Sequence, residues 1–176
     1  RFRRGRRVLS MSMEKPHRHG RGARSLSRQF ALLGVYQWLV SGADAATIER
    51  TLLSVLSDDG EPVAGATIDA GDFERCDKRH FSELLAGVIN HAETLQQLIA
   101  SHIDRDLSRL SLVERSVLML AAYELKWHVE IPYAVVINEA VELSKQFGAA
   151  EGFRYVNGVL DKVAAEVRAV EVGAKK

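Results

Sequence analysis

The sequence predicts an all-α bundle of six or seven helices, preceded by a disordered basic arm. Three observations carry that prediction. Apolar residues recur at three- and four-residue intervals over most of the chain after about residue 25. No stretch alternates apolar and polar residues as a half-buried strand would. Glycine, proline and helix-capping residues punctuate the periodic segments where helices should start and stop.

Residues 1–24 lack periodicity and are rich in Arg, Gly, Ser and His, so they read as a disordered arginine-rich arm, with the folded domain over 25–172. Ser25 or Ser27 caps a first helix running to about Val40, with Leu26, Phe30, Leu33, Tyr36 or Gln37, and Val40 on one face, and Gly42 ends it. Asp44 caps a second, in which Ile48, Leu52, Val55 and Leu56 share a face. The run Asp58-Asp59-Gly60-Glu61-Pro62 stops it, and Gly65 and Gly71 keep the following linker irregular. Asp72 or Asp77 opens a long third helix with His80 or Phe81, Leu84, Leu85, Val88, Ile89, Ala92, Leu95 and Ile99 along its stripe. Ser111-Leu112-Val113-Glu114 has capping-box form and leads into a helix that is apolar over most of its circumference, which places it mid-bundle. Pro132 suits the first turn of the next helix, which Gly148 ends. A last helix spans about Glu151 to Val170.

Charge is unevenly spread. Residues 1–28 hold ten Lys/Arg against one acid, Glu14, so a chain of net charge +1 carries eight net negative charges on its other 148 residues. A cationic arm on an acidic body suits contact with a polyanion, although a solvated tail has the same composition. The arm's basic start is followed by no apolar segment of the kind a secretion signal has, and no apolar run approaches a membrane span, so a cytoplasmic protein is expected. The single cysteine, Cys76, rules out an internal disulfide and reads as a half-buried helix residue.

Chemistry is hard to find. His80, His91 and His102 recur every eleven residues on one helix face, but at ~1.5 Å per residue neighbours lie about 16 Å apart, too far to share an ion. His17 and His19 belong to the arm. No phosphate-binding loop, nucleophile elbow or metalloprotease pattern occurs, so neither catalysis, cofactor nor metal is expected. Phe147, Phe153 and Tyr155 do cluster around the Gly148–Gly152 loop beside Lys145 and Arg154. Aromatics interleaved with cations offer stacking and phosphate neutralisation, the two terms that hold single-stranded RNA, although Phe147 and Phe153 are equally well placed to be core.

Two segments resemble the NusB family. One is Ile131-Pro132-Tyr133 followed by Ile137-Asn138-Glu139-Ala140-Val141-Glu142-Leu143-Ser144-Lys145-Gln146-Phe147-Gly148. The other is Tyr155-Val156-Asn157-Gly158-Val159-Leu160-Asp161-Lys162. Arg28-Gln29-Phe30-Ala31, Leu84-Leu85-Ala86-Gly87-Val88 and Glu114-Arg115-Ser116-Val117-Leu118 fall in the expected order upstream, and the resemblance spans roughly residues 24–168.

The resemblance implies two helical subdomains sharing a central helix, and a role in transcription antitermination without catalysis. It implies binding of boxA-type RNA with the ribosomal protein NusE, in an antitermination complex on RNA polymerase. By position it assigns Arg21, Arg24, Arg28, Tyr36, Phe147, Glu151, Arg154 and Tyr155 to RNA and Glu114 to NusE. Ser25, Leu26 and Ser27 interrupt the arginine run that family members have here. Two other functions compete: a homodimeric protein-interaction module, and a detached RNA-binding module of an RNA cytosine methyltransferase, whose catalytic α/β domain this chain lacks.

Overall fold

The computed structural model describes residues 22–57 and 68–174; within them there are nine α-helices, one 3₁₀ turn and no strand. The helices are α1 (Ala23–Ser41), α2 (Ala45–Ser57), α3 (Ala70–Arg75), α4 (Lys78–Asn90), α5 (Ala92–Ala100), α6 (Leu112–Trp127), α7 (Tyr133–Phe147), α8 (Gly152–Val167) and α9 (Ala169–Ala174), with the 3₁₀ turn at Leu107–Arg109. The arm to Arg21, with His17 and His19, lies outside the described residues, as do the stop at Asp58–Pro62 and Gly65.

Several local signals act as the sequence predicts. Gly42 closes α1 in the left-handed conformation at φ 68°, donating its N–H to the Trp38 carbonyl at 2.8 Å. The Asp44 carboxylate accepts from the Thr47 N–H at 2.7 Å. Ser111 and Glu114 form a reciprocal capping box, and Gly148 caps α7.

Other expectations are corrected. The first helix begins at Ala23, so Ser25 and Ser27 lie within it. The Ser27 hydroxyl is bonded to the Ala23 and Asp77 carbonyls instead of capping. Its buried face runs through Leu26, Phe30, Ala31 and Val35, so Val40, 65 % exposed, is off the stripe to which the sequence assigned it. The expected long third helix is three helices if it starts at Asp72 and two if it starts at Asp77, the second of the two starts offered and the one that caps α4. Extended backbone at Cys76 breaks it, making Cys76 a buried cap rather than a helix residue, and Asp77 restarts it by accepting from the His80 N–H at 3.0 Å. A second break falls at His91, whose ring is hydrogen-bonded to the Gly87 carbonyl. The last helix breaks at Arg168, because that side chain turns inward.

The helices pack as two groups joined by α6. One comprises α1 to α4, with Phe30, Phe73 and Phe81 in edge-to-face contact at 5.1 and 5.6 Å. The other comprises α7, α8 and α9. The shared helix α6 touches α1, α4, α5, α7 and α8 and buries Val117, Leu118, Leu120 and Leu125. At the α4–α6 crossing Gly87 lets the Tyr123 ring lie against the α4 backbone; a Cβ there would stand 2.2 Å from Tyr123 Cζ. That ring cannot simply swing away, because His91, Trp127 and His128 surround it at ring-centroid distances of 6.1, 5.2 and 5.3 Å. Gly87→Ala should therefore destabilise the protein by about 1–3 kcal/mol despite alanine's better helix propensity, read as a lower urea midpoint at unchanged slope.

Candidate nucleic-acid and partner interface

The corner where α7 hands over to α8 gathers most of the residues that the sequence singled out. Glu114 occupies the third position of α6, its backbone N–H donating to the Ser111 hydroxyl at 3.1 Å. The first turn of α8 crosses close to it: a Cβ on Gly152 would sit 3.1 Å from Glu114 Oε1. Glycine at 152 thus allows α8 to start against a carboxylate that is half-buried and reachable from outside.

One turn further along α8, half-buried Tyr155 points its hydroxyl at Asp104, donating to Oδ1 at 3.3 Å. The Arg105 guanidinium lies over the Tyr155 ring, 4.5 Å from its centroid, and its Nε donates to Asp104 at 3.0 Å. Arg105 holds the exposed Asp104 carboxyl below the usual carboxylate range. Burial raises the Tyr155 hydroxyl above its ordinary value, with Arg105 opposing. Phe153, also half-buried, has Lys145 at 5.0 Å and Arg154 at 5.7 Å from its ring. Arg154 pairs with Glu151 at 3.1 Å; both are well exposed. Phe147 packs partly against the core. Arg105 and Asp104 were not identified from the sequence, since their link to Tyr155 spans 51 positions and leaves no local spacing to read.

The start of α1 connects to this corner through α7. Gln146, next to Phe147, donates to Gln29 at 3.0 Å, and Ser25 donates to Glu139 at 2.7 Å. Arg24 is exposed, 3.9 Å from Asp77. Tyr36 is 42 % exposed on the later part of α1. Arg21 lies outside the described residues.

Arg28 departs from its expected place. It is 4 % exposed and sits inside the bundle, where Nε donates to Glu124 Oε1 at 2.7 Å and Nη2 donates to Oε2 at 2.8 Å. Glu139 stands behind it at 3.8 Å. Burial opposes the guanidinium's charge, but the hydrogen bond and charge of Glu124, helped by Glu139, more than offset that and raise its pKa. A guanidinium spent on a buried carboxylate is not a surface cation for a phosphate, and its replacement cannot leave folding untouched.

A sequence model of the NusB family matches residues 25–165. The chain is 46 % identical over 165 residues to the transcription antitermination protein NusB of Ralstonia nicotianae, covering 94 % of this chain and 97 % of that protein. It is 47 % identical over 148 residues to the protein of the same name from Nitrosospira multiformis, covering 84 % of each. Among solved structures it is similar to T. maritima NusB, with TM-score 0.63 and 29 % identity over 81 % of this chain and 91 % of that one. It also shares its fold with a chain from a complex of the antitermination factors NusB and NusE with double-stranded RNA, with TM-score 0.65 and 22 % identity over 82 % of this chain and 97 % of that one.

Removing one member of a buried ion pair strands the other charge, so Arg28→Ala should cost about 3–5 kcal/mol in urea unfolding. Replacing both members, as Arg28→Leu with Glu124→Leu, should recover much of that loss. Equal stability of wild type and Arg28→Ala would refute the buried pair.

Proposed function

The chain belongs to the NusB family, and from that premise we propose that it is a non-catalytic transcription antitermination factor that binds single-stranded boxA-type RNA jointly with the ribosomal protein NusE. The observation that carries this reading is the α7–α8 corner. Two half-buried aromatics, Phe153 and Tyr155, are flanked by Lys145, Arg154 and Arg105, next to the accessible carboxylate of Glu114. Rings supply stacking that tolerates any base, and the cations neutralise phosphate. Glu114 suits a basic protein partner, which would then meet the RNA at the same corner.

The arm adds to this reading through charge. Arg24 stands exposed in the first turn of α1, a helix bonded to α7 through Ser25 and Gln29, and Arg21 precedes it in the sequence, so both are assigned to the backbone of the same strand. Arg28 drops out of the RNA set, while Arg105 enters it. Tyr36, Phe147, Glu151, Arg154 and Tyr155 stay in it as proposals, and Glu114 as the NusE contact. Loading onto RNA polymerase, from a cytoplasmic location, completes the proposed role. Among the described residues no helix is long and apolar enough to cross a membrane.

The test is fluorescence-anisotropy titration of a boxA-like RNA and a scrambled control, with and without NusE, across a salt series. Selective affinity that NusE strengthens and salt weakens is expected. Tyr155→Ala should lose about 1–3 kcal/mol of binding per folded molecule, measured well below a melting temperature that falls because the ring also packs against the core. Arg24→Ala should reduce the salt slope by about one and weaken both RNAs alike. Equal weak binding to both RNAs, indifferent to NusE, would overturn the proposal; sedimentation would then test self-association as a homodimer.

A further inference from the structure

A second cluster lies at the other end of α6, away from the α7–α8 corner. Glu124 and His128 are four residues apart, so the carboxylate and the imidazole emerge on one side of the helix end. His80, on the first turn of α4, faces them. One ligand atom from each of the three lies within 4.8 Å of those of the other two. His80 is only 4 % exposed, yet its Nε2 has no hydrogen-bond partner, and the same holds for the buried Nδ1 of His128. A buried polar atom without a partner is rare and asks for an explanation. Here two of them converge on one carboxylate. The imidazoles are not stacked on each other, their rings being 5.5 Å apart and tilted by 47°.

We propose that His80, Glu124 and His128 form a binding site for a divalent transition-metal ion of the Zn2+ class. Two imidazoles and one carboxylate are a borderline donor set that suits zinc, cobalt or nickel rather than magnesium or calcium, with water completing the shell. Donor atoms stand about 2.0–2.2 Å from such an ion, so the three must draw together by roughly 1 Å. With the His128 backbone held by Arg168, that movement falls to rotation of its half-buried side chain at the end of α6. Arg28 takes one lone pair on each Glu124 oxygen and leaves others for the metal. It also fixes the carboxylate's orientation in the way outer-shell donors do at metal sites. Its positive charge is offset by Glu139 on its far side. A bound ion would clip α4 to the end of α6. Spacing within α4 and α5 could not reveal this site, because Glu124 lies on α6 and His128 at its C-cap.

The experiment uses the full chain, tag-free and stripped with chelator. It also uses His17→Ala with His19→Ala, which removes competing histidines of the arm. Zn2+ is titrated against a chromophoric chelator, and imidazole resonances are followed by NMR. One equivalent should bind to both proteins and shift the His80 and His128 resonances. His128→Ala, confirmed folded by its melting curve, should bind at least tenfold more weakly. No stoichiometric binding by the arm variant would overturn the site, as would affinity unchanged in His128→Ala, or shifts confined to His17, His19, His91 and His102.

Discussion

The buried pair between Arg28 and Glu124 is the constraint on which the arrangement of the two helix groups turns. Both side chains are almost wholly out of water, and the guanidinium fork meets both carboxylate oxygens. Desolvating two charges is expensive, and only a close bidentate geometry offsets it. An apolar interface tolerates a slide of a few ångströms, whereas this pair does not. It therefore fixes how α1 lies on α6. Glu139, on α7, completes the sandwich and also accepts from Ser25. One arginine thus sets α1 against both α6 and α7, and the Gln29–Gln146 bond extends that register towards the α7–α8 corner.

The shared helix α6 is held at both ends by polar devices, since its middle is apolar nearly all round. At the first end the Ser111–Glu114 capping box satisfies orphan N–H groups. At the last, Arg168 reaches in from the α8–α9 break and donates to the carbonyls of Glu124, Leu125, His128 and Ile131. The Glu124 and His128 oxygens also accept from the backbone N–H groups of His128 and Ile131, so the buried guanidinium reinforces the helix end as a cap does and sets the turn leading to α7. The same clamp holds the backbone of Glu124 and His128 in place.

What was legible in the sequence follows the range of the interaction. The capping box at Ser111, the cap at Asp44 and the stops at Gly42 and Gly148 each depend on neighbours within four residues, and the structure has them as read. The all-α class and the central place of α6 are equally plain, since a helix apolar on nearly every side has nowhere to go but the middle; its sharing between two groups was implied by the family resemblance. Arg28 misled because its partner lies 96 positions away and its flanking residues make it look like the end of the basic arm. The phase of α1 was misjudged for a related reason: the polar Ser27, Arg28 and Gln29 are buried, so the apolar stripe alone does not mark the core face. The start at Asp77 was one of the two that the sequence offered, whereas the break at His91 was invisible because periodicity survives a break that keeps the next helix on the same core.

The division of charge gives the α7–α8 corner its meaning. The residues after Arg28 carry eight net negative charges, which repel a polyanion within a screening length of about 8–10 Å at physiological salt. A nucleic acid approaching this protein would therefore be excluded from acidic faces and admitted where cations and rings coincide. At the corner Arg105 covers one face of Tyr155 and is itself paired to Asp104, so the cation is held in place before any strand arrives. Such a site loses little side-chain freedom on binding, and it discriminates by position, because stacking acts only within contact of the ring. Arginines of the arm act over a longer range and indifferently to sequence. On the proposed reading, affinity drawn from the arm and stacking drawn from the corner rings are separable quantities. The first falls steeply with salt and the second far less, while Lys145, Arg105 and Arg154 add a salt-dependent share at the corner itself.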